Sequence, residues 1–213
     1  MKKLKKYSIE DLCKIIPSMS ENEKKSVLGA GIIYKFDSNG NLTTYDDGTS
    51  GPNMVVCNGQ HLELTGSLCY SSYQYEDEDG NTQIGHSLTG GGMELFYFLA
   101  DNTDVEWGAS YNNGSDAYLN TSHDQHSVNA IKQEGYSNYI HSHPTVGETQ
   151  GEPSSNDIST GVGMLRYNYR GKETGKYLNY NYEHFAIYKA HSSGSIEDDT
   201  VDYTREVKAA YPR

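Results

Sequence analysis

The chain has 213 residues, 35% of them hydrophobic and 19 of them tyrosine, and it carries a formal charge of −12 at pH 7. That length suits one domain, or a small domain with an appendage. No apolar run reaches the roughly 18 residues of a membrane-spanning helix. The acidic balance argues against a non-specific nucleic-acid binder and against docking on anionic lipid, because both need a basic surface.

The charge is unevenly spread. Residues 1–30 hold seven lysines and four acids, so the acidic balance resides wholly in residues 31–213. Leu4, Ile9, Leu12, Ile15 and Ile16 recur at helical spacing. The apolar runs are too short for the core of a Sec signal peptide. The stretch Met19-Ser20-x-x-Glu23-x-x-x-Val27-x-Gly29-Ala30 resembles a double-glycine leader. The small pair has a physical reason, since a protease tunnel admits an extended backbone without bulky side chains. The resemblance implies cleavage after Ala30 by a peptidase-containing ABC transporter, hence a protein that is cytoplasmic before processing and secreted after it. Lys24 departs from the pattern, which usually has an apolar residue there. The other reading is an amphipathic helix ending at a glycine cap.

Cys13 would leave with the leader. Cys57 and Cys69 would remain, an even number that one disulfide could join; two reduced thiols are the alternative. Between residues 31 and 90 the sequence predicts a β-rich segment. Ile32–Phe36 and Leu42–Tyr45 flank an Asn-Gly pair, a hairpin signal. Residues 76–81 look like half of a calcium loop, but the spacing of a full loop is missing, and a solvated turn is expected. Gly90-Gly91-Gly92 reads as a hinge.

Met93–Ala100 predicts a helix that stops at Asp101-Asn102. Val105–Ala109 predicts a strand, with Tyr118–Ser122 as its partner. Tyr139–Pro144 predicts a strand that ends at the proline. Residues two apart on a strand share a face, so His141 and His143 project side by side, as two imidazole ligands on one metal require. Pro153-Ser154-Ser155-Asn156-Asp157 then reads as a helix N-terminus. Asp157 in its first turn can aim a carboxylate back at the strand end. Two histidines and one aspartate leave the fourth position of a tetrahedral zinc open to water, the arrangement of a catalytic site. A nearby carboxylate must still move the proton, and Glu106 is the candidate.

His141-x-His143-Pro144, Ser154-x-x-Asp157 and the upstream Glu106 together resemble the JAMM (MPN+, JAB) metalloprotease motif. More narrowly, Phe98–Trp107, Thr121–Asp124 and Ile140–Pro144 resemble the JAB-like toxin domains of Bacteroidota, over about residues 94–190. The resemblance implies an α/β fold, a curved mixed β-sheet flanked by helices. It implies Zn2+ held by His141, His143 and Asp157, with Glu106 as general base and Ser154 as oxyanion donor. One departure is the loop between His143 and Ser154, ten residues long where many relatives have seven; a loop absorbs three residues at small entropic cost. His123 falls in a matching stretch and is a candidate neighbour of the site. Glu94 is the rival for the base. The tyrosines from Tyr167 to Tyr188 read as strand-packing aromatics, with a binding face as the other reading. His184–Tyr188 predicts a core strand, and residues 192–202 predict a turn or loop.

The resulting division is a leader at 1–30, a β-rich segment at 31–90 and a JAB/JAMM-like domain at 91–213. The function it implies is an exported zinc peptidase or isopeptidase acting on a protein, as an interbacterial toxin for which an immunity protein would be a partner. No nucleic-acid partner and no membrane insertion are expected. A non-catalytic exported binder that keeps the fold is the alternative. A RadC-type DNA-repair domain shares the metal motif, but the charge and the leader argue against it.

Overall fold

The computed structural model describes residues 31–45, 51–76, 80–112, 116–133, 135–144, 151–173, 182–192 and 195–211. The leader reading with Gly29 and Ala30, the middle of the acidic turn at 77–79, and residues 145–150 of the loop before Ser154 lie outside them. So do Tyr177 and Tyr180.

Four strands build a small sheet: β1 (Ile33–Phe36), β2 (Leu42–Tyr45), β3 (Asn53–Cys57) and β4 (Gln60–Leu64), in the order β2-β1-β3-β4. The expected hairpin is present, with Ile33 opposite Tyr45 and Phe36 opposite Leu42. Its turn is closed by Asp37, whose carboxylate accepts the backbone N–H groups of Asn39 and Asn41 at 2.9 and 2.8 Å. Gly40 follows at φ +72°, a left-handed conformation that suits glycine.

The second sheet has seven strands: β5 (Cys69–Glu76), β6 (Thr82–Thr89), β7 (Trp107–Tyr111), β8 (Ala117–Thr121), β9 (Asn138–His143), β10 (His184–Lys189) and β11 (Thr200–Asp202). Their order is β11-β10-β9-β7-β8-β6-β5. The sheet is mixed, since β9 and β10 run parallel and the other pairs antiparallel. The helices are α1 (Gly92–Asn102), α2 (Ser155–Glu173), α3 (Ile196–Asp199) and α4 (Thr204–Ala210). The protein is thus a mixed α/β structure. The segment before residue 91 is β-rich, and it divides between the two sheets: β6 pairs with β8, so the large sheet begins at Cys69.

Alternation along the strands sorts the side chains into two cores. On one face, Trp107, Ala109, Leu119 and Ile140 pack with Leu95, Phe96 and Leu99 of α1 and with Tyr34, Phe36 and Val55 of the small sheet. On the other face, Tyr139, Phe185 and Ile187 pack with Val162 and Met164 of α2 and with Val207 of α4. Central β9 is bonded on both sides, with Gly108 and Ile187 flanking His141.

Three expectations need correction. Cys57 and Cys69 form no disulfide; both are free. Cys57 is buried in the small sheet, with its Sγ 3.0 Å from the Asn102 carbonyl, whereas Cys69 is exposed at the start of β5 in the large sheet. The stretch read as loop at 192–202 holds α3 and the edge strand β11, capped by Ser195, whose hydroxyl accepts the Asp198 N–H at 3.2 Å. The strand predicted at 105–109 begins at Trp107, which leaves Glu106 just ahead of the ladder.

Candidate metal centre

The centre lies where the C-terminal end of β9 meets the first turn of α2. His141 is buried and His143 half-buried on the face that also carries Tyr139. Asp157 faces them from α2. The Nε2 atoms of the two histidines are 3.1 Å apart. His141 Nε2 is 3.1 Å from Asp157 Oδ1, and His143 Nε2 is 3.8 Å from Asp157 Oδ2. Two nitrogens bound to one tetrahedral zinc at 2.0–2.1 Å would stand roughly 3.3 Å apart. Among the described residues, these three are the group of side chains that could hold a metal ion, with ligand atoms within 4.8 Å of one another. The donor set, two imidazoles and one carboxylate, fits zinc.

Local structure fixes each ligand. The β9 pleat sets the histidines on one face. Pro144 is buried and pairs with no strand residue, so the strand stops there. Ser154 and Asp157 cap α2 reciprocally: the Ser154 backbone N–H donates to Asp157 Oδ2 at 2.7 Å, and the Asp157 N–H donates to Ser154 Oγ at 3.1 Å. Burial raises the Asp157 carboxyl, but the hydrogen bond and charge of His141, with the Ser154 bonds, outweigh it and hold the carboxyl down at about 2. The Nδ1 of His141 is buried and, among the described residues, has no hydrogen-bond partner. Rings steady this imidazole instead: Tyr139 stacks on it at 6.0 Å and Tyr203 meets it edge-on at 6.1 Å.

Glu106 and Ser154 line the same cavity of about 300 Å³ as His141 and Asp157. The Glu106 backbone is clamped, its N–H donating to the Asp124 carbonyl at 2.8 Å and its C=O accepting the Thr121 hydroxyl at 2.9 Å. The next N–H, of Trp107, donates to Ser142 Oγ at 2.9 Å, tying this turn to β9. Glu106 is 6% exposed. Burial, then the charges of Asp157 and Asp124, push its carboxyl up to about 9. The rival Glu94 is exposed in the first turn of α1, which packs on the opposite face of the sheet.

His123 is not at the centre. It adopts φ +57° and makes its contacts with the hairpin turn, through Nδ1 and the Asn39 carbonyl at 2.7 Å, and with His86. Residues that the motif did not reveal also line the cavity: His126, Tyr139, Asn156, Thr160 and Tyr203. Tyr139 was legible as the residue two before His141, on the same strand face. Tyr203 lies just past the stretch read as loop, and no local pattern marks it.

No curated protein and no solved structure matches the chain. Residues 91–162, which run from the N-terminus of α1 into α2, match the family model described as JAB-like toxin 1.

Proposed function

We propose that the protein is a zinc-dependent hydrolase of peptide or isopeptide bonds, exported as an interbacterial toxin. One observation carries the hydrolase reading: two of the three side chains that could hold a metal, His141 and Asp157, line a cavity with the buried Glu106 carboxyl and the helix-capping Ser154 hydroxyl. A structural zinc is closed by four protein ligands, whereas a catalytic one keeps a position open.

His141, His143 and Asp157 would hold the ion. Zinc, when bound, supplies a Lewis acid for the substrate carbonyl and lowers the pKa of a water toward about 7. Glu106 takes the proton of the attacking water and passes it to the leaving nitrogen. Without a metal, burial and then the charges of Asp157 and Asp124 favour the protonated form of this carboxyl. With an ion held by His141, His143 and Asp157, the Asp157 charge would be offset and the basic form of Glu106 favoured. Ser154 Oγ accepts the Asp157 N–H and also bonds the Asp157 carboxyl; its O–H would turn from that carboxyl to donate to the substrate oxyanion. A donor of this kind is worth about 2.7–4 kcal/mol.

Substrate-trapping with the zinc-loaded Glu106→Gln variant tests the reading. The expected result is one zinc per chain, no cleavage, and a captured protein that the wild type cuts. Cleavage undiminished in the variant would sink it. The toxin role is supported by the family of residues 91–162, and export by the Gly29-Ala30 pair. Secreted protein whose N-terminus is Gly31 would support leader removal by a peptidase-containing transporter; an intact Met1 in the medium would count against it.

A further inference from the structure

Two cavity walls have no task in that scheme. Tyr139 and Tyr203 are 2% and 1% exposed, yet both line the cavity. Buried phenols usually find a hydrogen-bond partner. Among the described residues no protein group pairs with either hydroxyl, and neither hydroxyl is sealed in the packed interior. Both side chains form part of the cavity wall.

Tyr203 is the more firmly set. Its N–H donates to the Phe185 carbonyl at 3.0 Å, and its C=O accepts the Val207 N–H at 3.2 Å. The neighbouring Thr204 hydroxyl accepts the Phe185 N–H at 2.9 Å. The ring is wedged between Phe185 and the His141 imidazole. It comes from the turn between β11 and α4, beyond the residues that match the family. A rigid donor without a protein partner, set edge-on against a metal ligand, is pre-organised for a ligand oxygen.

We infer that Tyr203 is a substrate-contacting residue, its phenol donating a hydrogen bond to an oxygen of the amide bound at the His141–His143–Asp157 centre. The inference rests on the hydrolase reading and adds a second donor to the cavity that Ser154 lines. It involves no covalent step.

The test uses full-length protein loaded with one equivalent of Co2+, with acetohydroxamate as the probe for the substrate amide, followed by the cobalt absorption bands. Tyr203→Phe removes one oxygen and keeps the ring. Cobalt affinity should be unchanged and acetohydroxamate should bind about three- to tenfold more weakly, the usual effect of deleting one hydrogen bond. Equal hydroxamate affinity in the two proteins would overturn the inference while leaving the metal centre standing. So would lost cobalt affinity or failed folding in the variant, since Tyr203 would then act through His141 or the core. A wild type that takes up cobalt but ignores hydroxamate would also overturn it. A wild type that takes up no metal would remove the hydrolase reading itself.

Discussion

The Nε2 atoms of His141 and His143 stand 3.1 Å apart and both face the Asp157 carboxylate. Two imidazoles gain little from that approach alone, since at most one hydrogen bond can join two ring nitrogens. A shared cation would account for it. Wild-type protein should bind about one zinc per chain, and His143→Ala should weaken binding by at least tenfold. Acidification should release the metal, because each ligand must be deprotonated to coordinate. Calorimetric titration checks both; equal zinc affinity in wild type and variant would remove the centre.

Glu106 burdens the metal-free fold. Its carboxyl is raised to about 9 by burial and by the charges of Asp157 and Asp124. A folded value above the unfolded one means stability that is complete below about 4.5 and is lost as pH rises toward 9. Glu106→Gln removes that dependence. The metal-free variant should exceed metal-free wild type in stability at pH 8 by on the order of 3 kcal/mol, the cost of holding a proton on the buried carboxyl far above its unfolded pKa, and the gap should close at pH 5. Urea unfolding at the two pH values measures this. A gap that is the same at both would show that Glu106 is not held protonated.

Two glycines of α2 make opposite predictions. A Cβ at Gly161 would stand 2.6 Å from Val207 Cγ2 and 3.0 Å from its Cγ1, whereas a Cβ at Gly163 would meet nothing within 4 Å. Alanine gains up to about 1 kcal/mol over glycine in a helix interior. Overpacking a stiff β-branched neighbour costs about 1–3 kcal/mol, so the clash wins at 161. Gly161→Ala should lower the melting temperature and Gly163→Ala should raise it. Gly161 lies one helical turn beyond Asp157, so the first variant should also weaken zinc binding. Melting curves of the two variants that shift the same way would refute the α2–α4 contact.

Much of the centre was legible because its rules are local. Strand alternation alone puts His141 and His143 on one face, and the Ser154-x-x-Asp157 spacing alone builds the reciprocal cap. Glu106 was legible as a residue, but its strand was drawn two residues early, because Val105 is apolar and only tertiary pairing starts the ladder at Trp107. What the sequence hid depends on distant pairing. Cys57 and Cys69 are twelve residues apart, and nothing between them announces that the chain changes sheets. The short edge strand β11 is polar, so it reads as loop, and Tyr203 was hidden just beyond it. His86 and His123 are far apart in sequence and meet only because β6 pairs with β8.

That histidine pair yields the last prediction. The Asn39 carbonyl can only accept, so His123 Nδ1 carries a proton and its Nε2 offers a lone pair. His86 Nδ1–H must then donate to that Nε2. Tyr70 stacks on His86 at 4.7 Å. Burial, and then the charge of His123, hold the His86 pKa below its ordinary value. The unfolded chain therefore takes up this proton more readily, and the stability it withholds is lost as pH falls below about 6.5. His123→Asn keeps a residue that tolerates φ +57° and removes the ring. The fall in melting temperature between pH 7.5 and pH 5.5 should be smaller in this variant than in wild type. The contact also ties the hairpin turn to Thr121, which accepts the His123 N–H at 3.0 Å and donates to the Glu106 carbonyl. Protection of the Glu106 amide against hydrogen exchange, taken relative to the intrinsic rate at each pH, should therefore fall on acidification in wild type and be low at both pH values in the variant. Protection that ignores both pH and the substitution would show that the pair does not brace the turn holding Glu106.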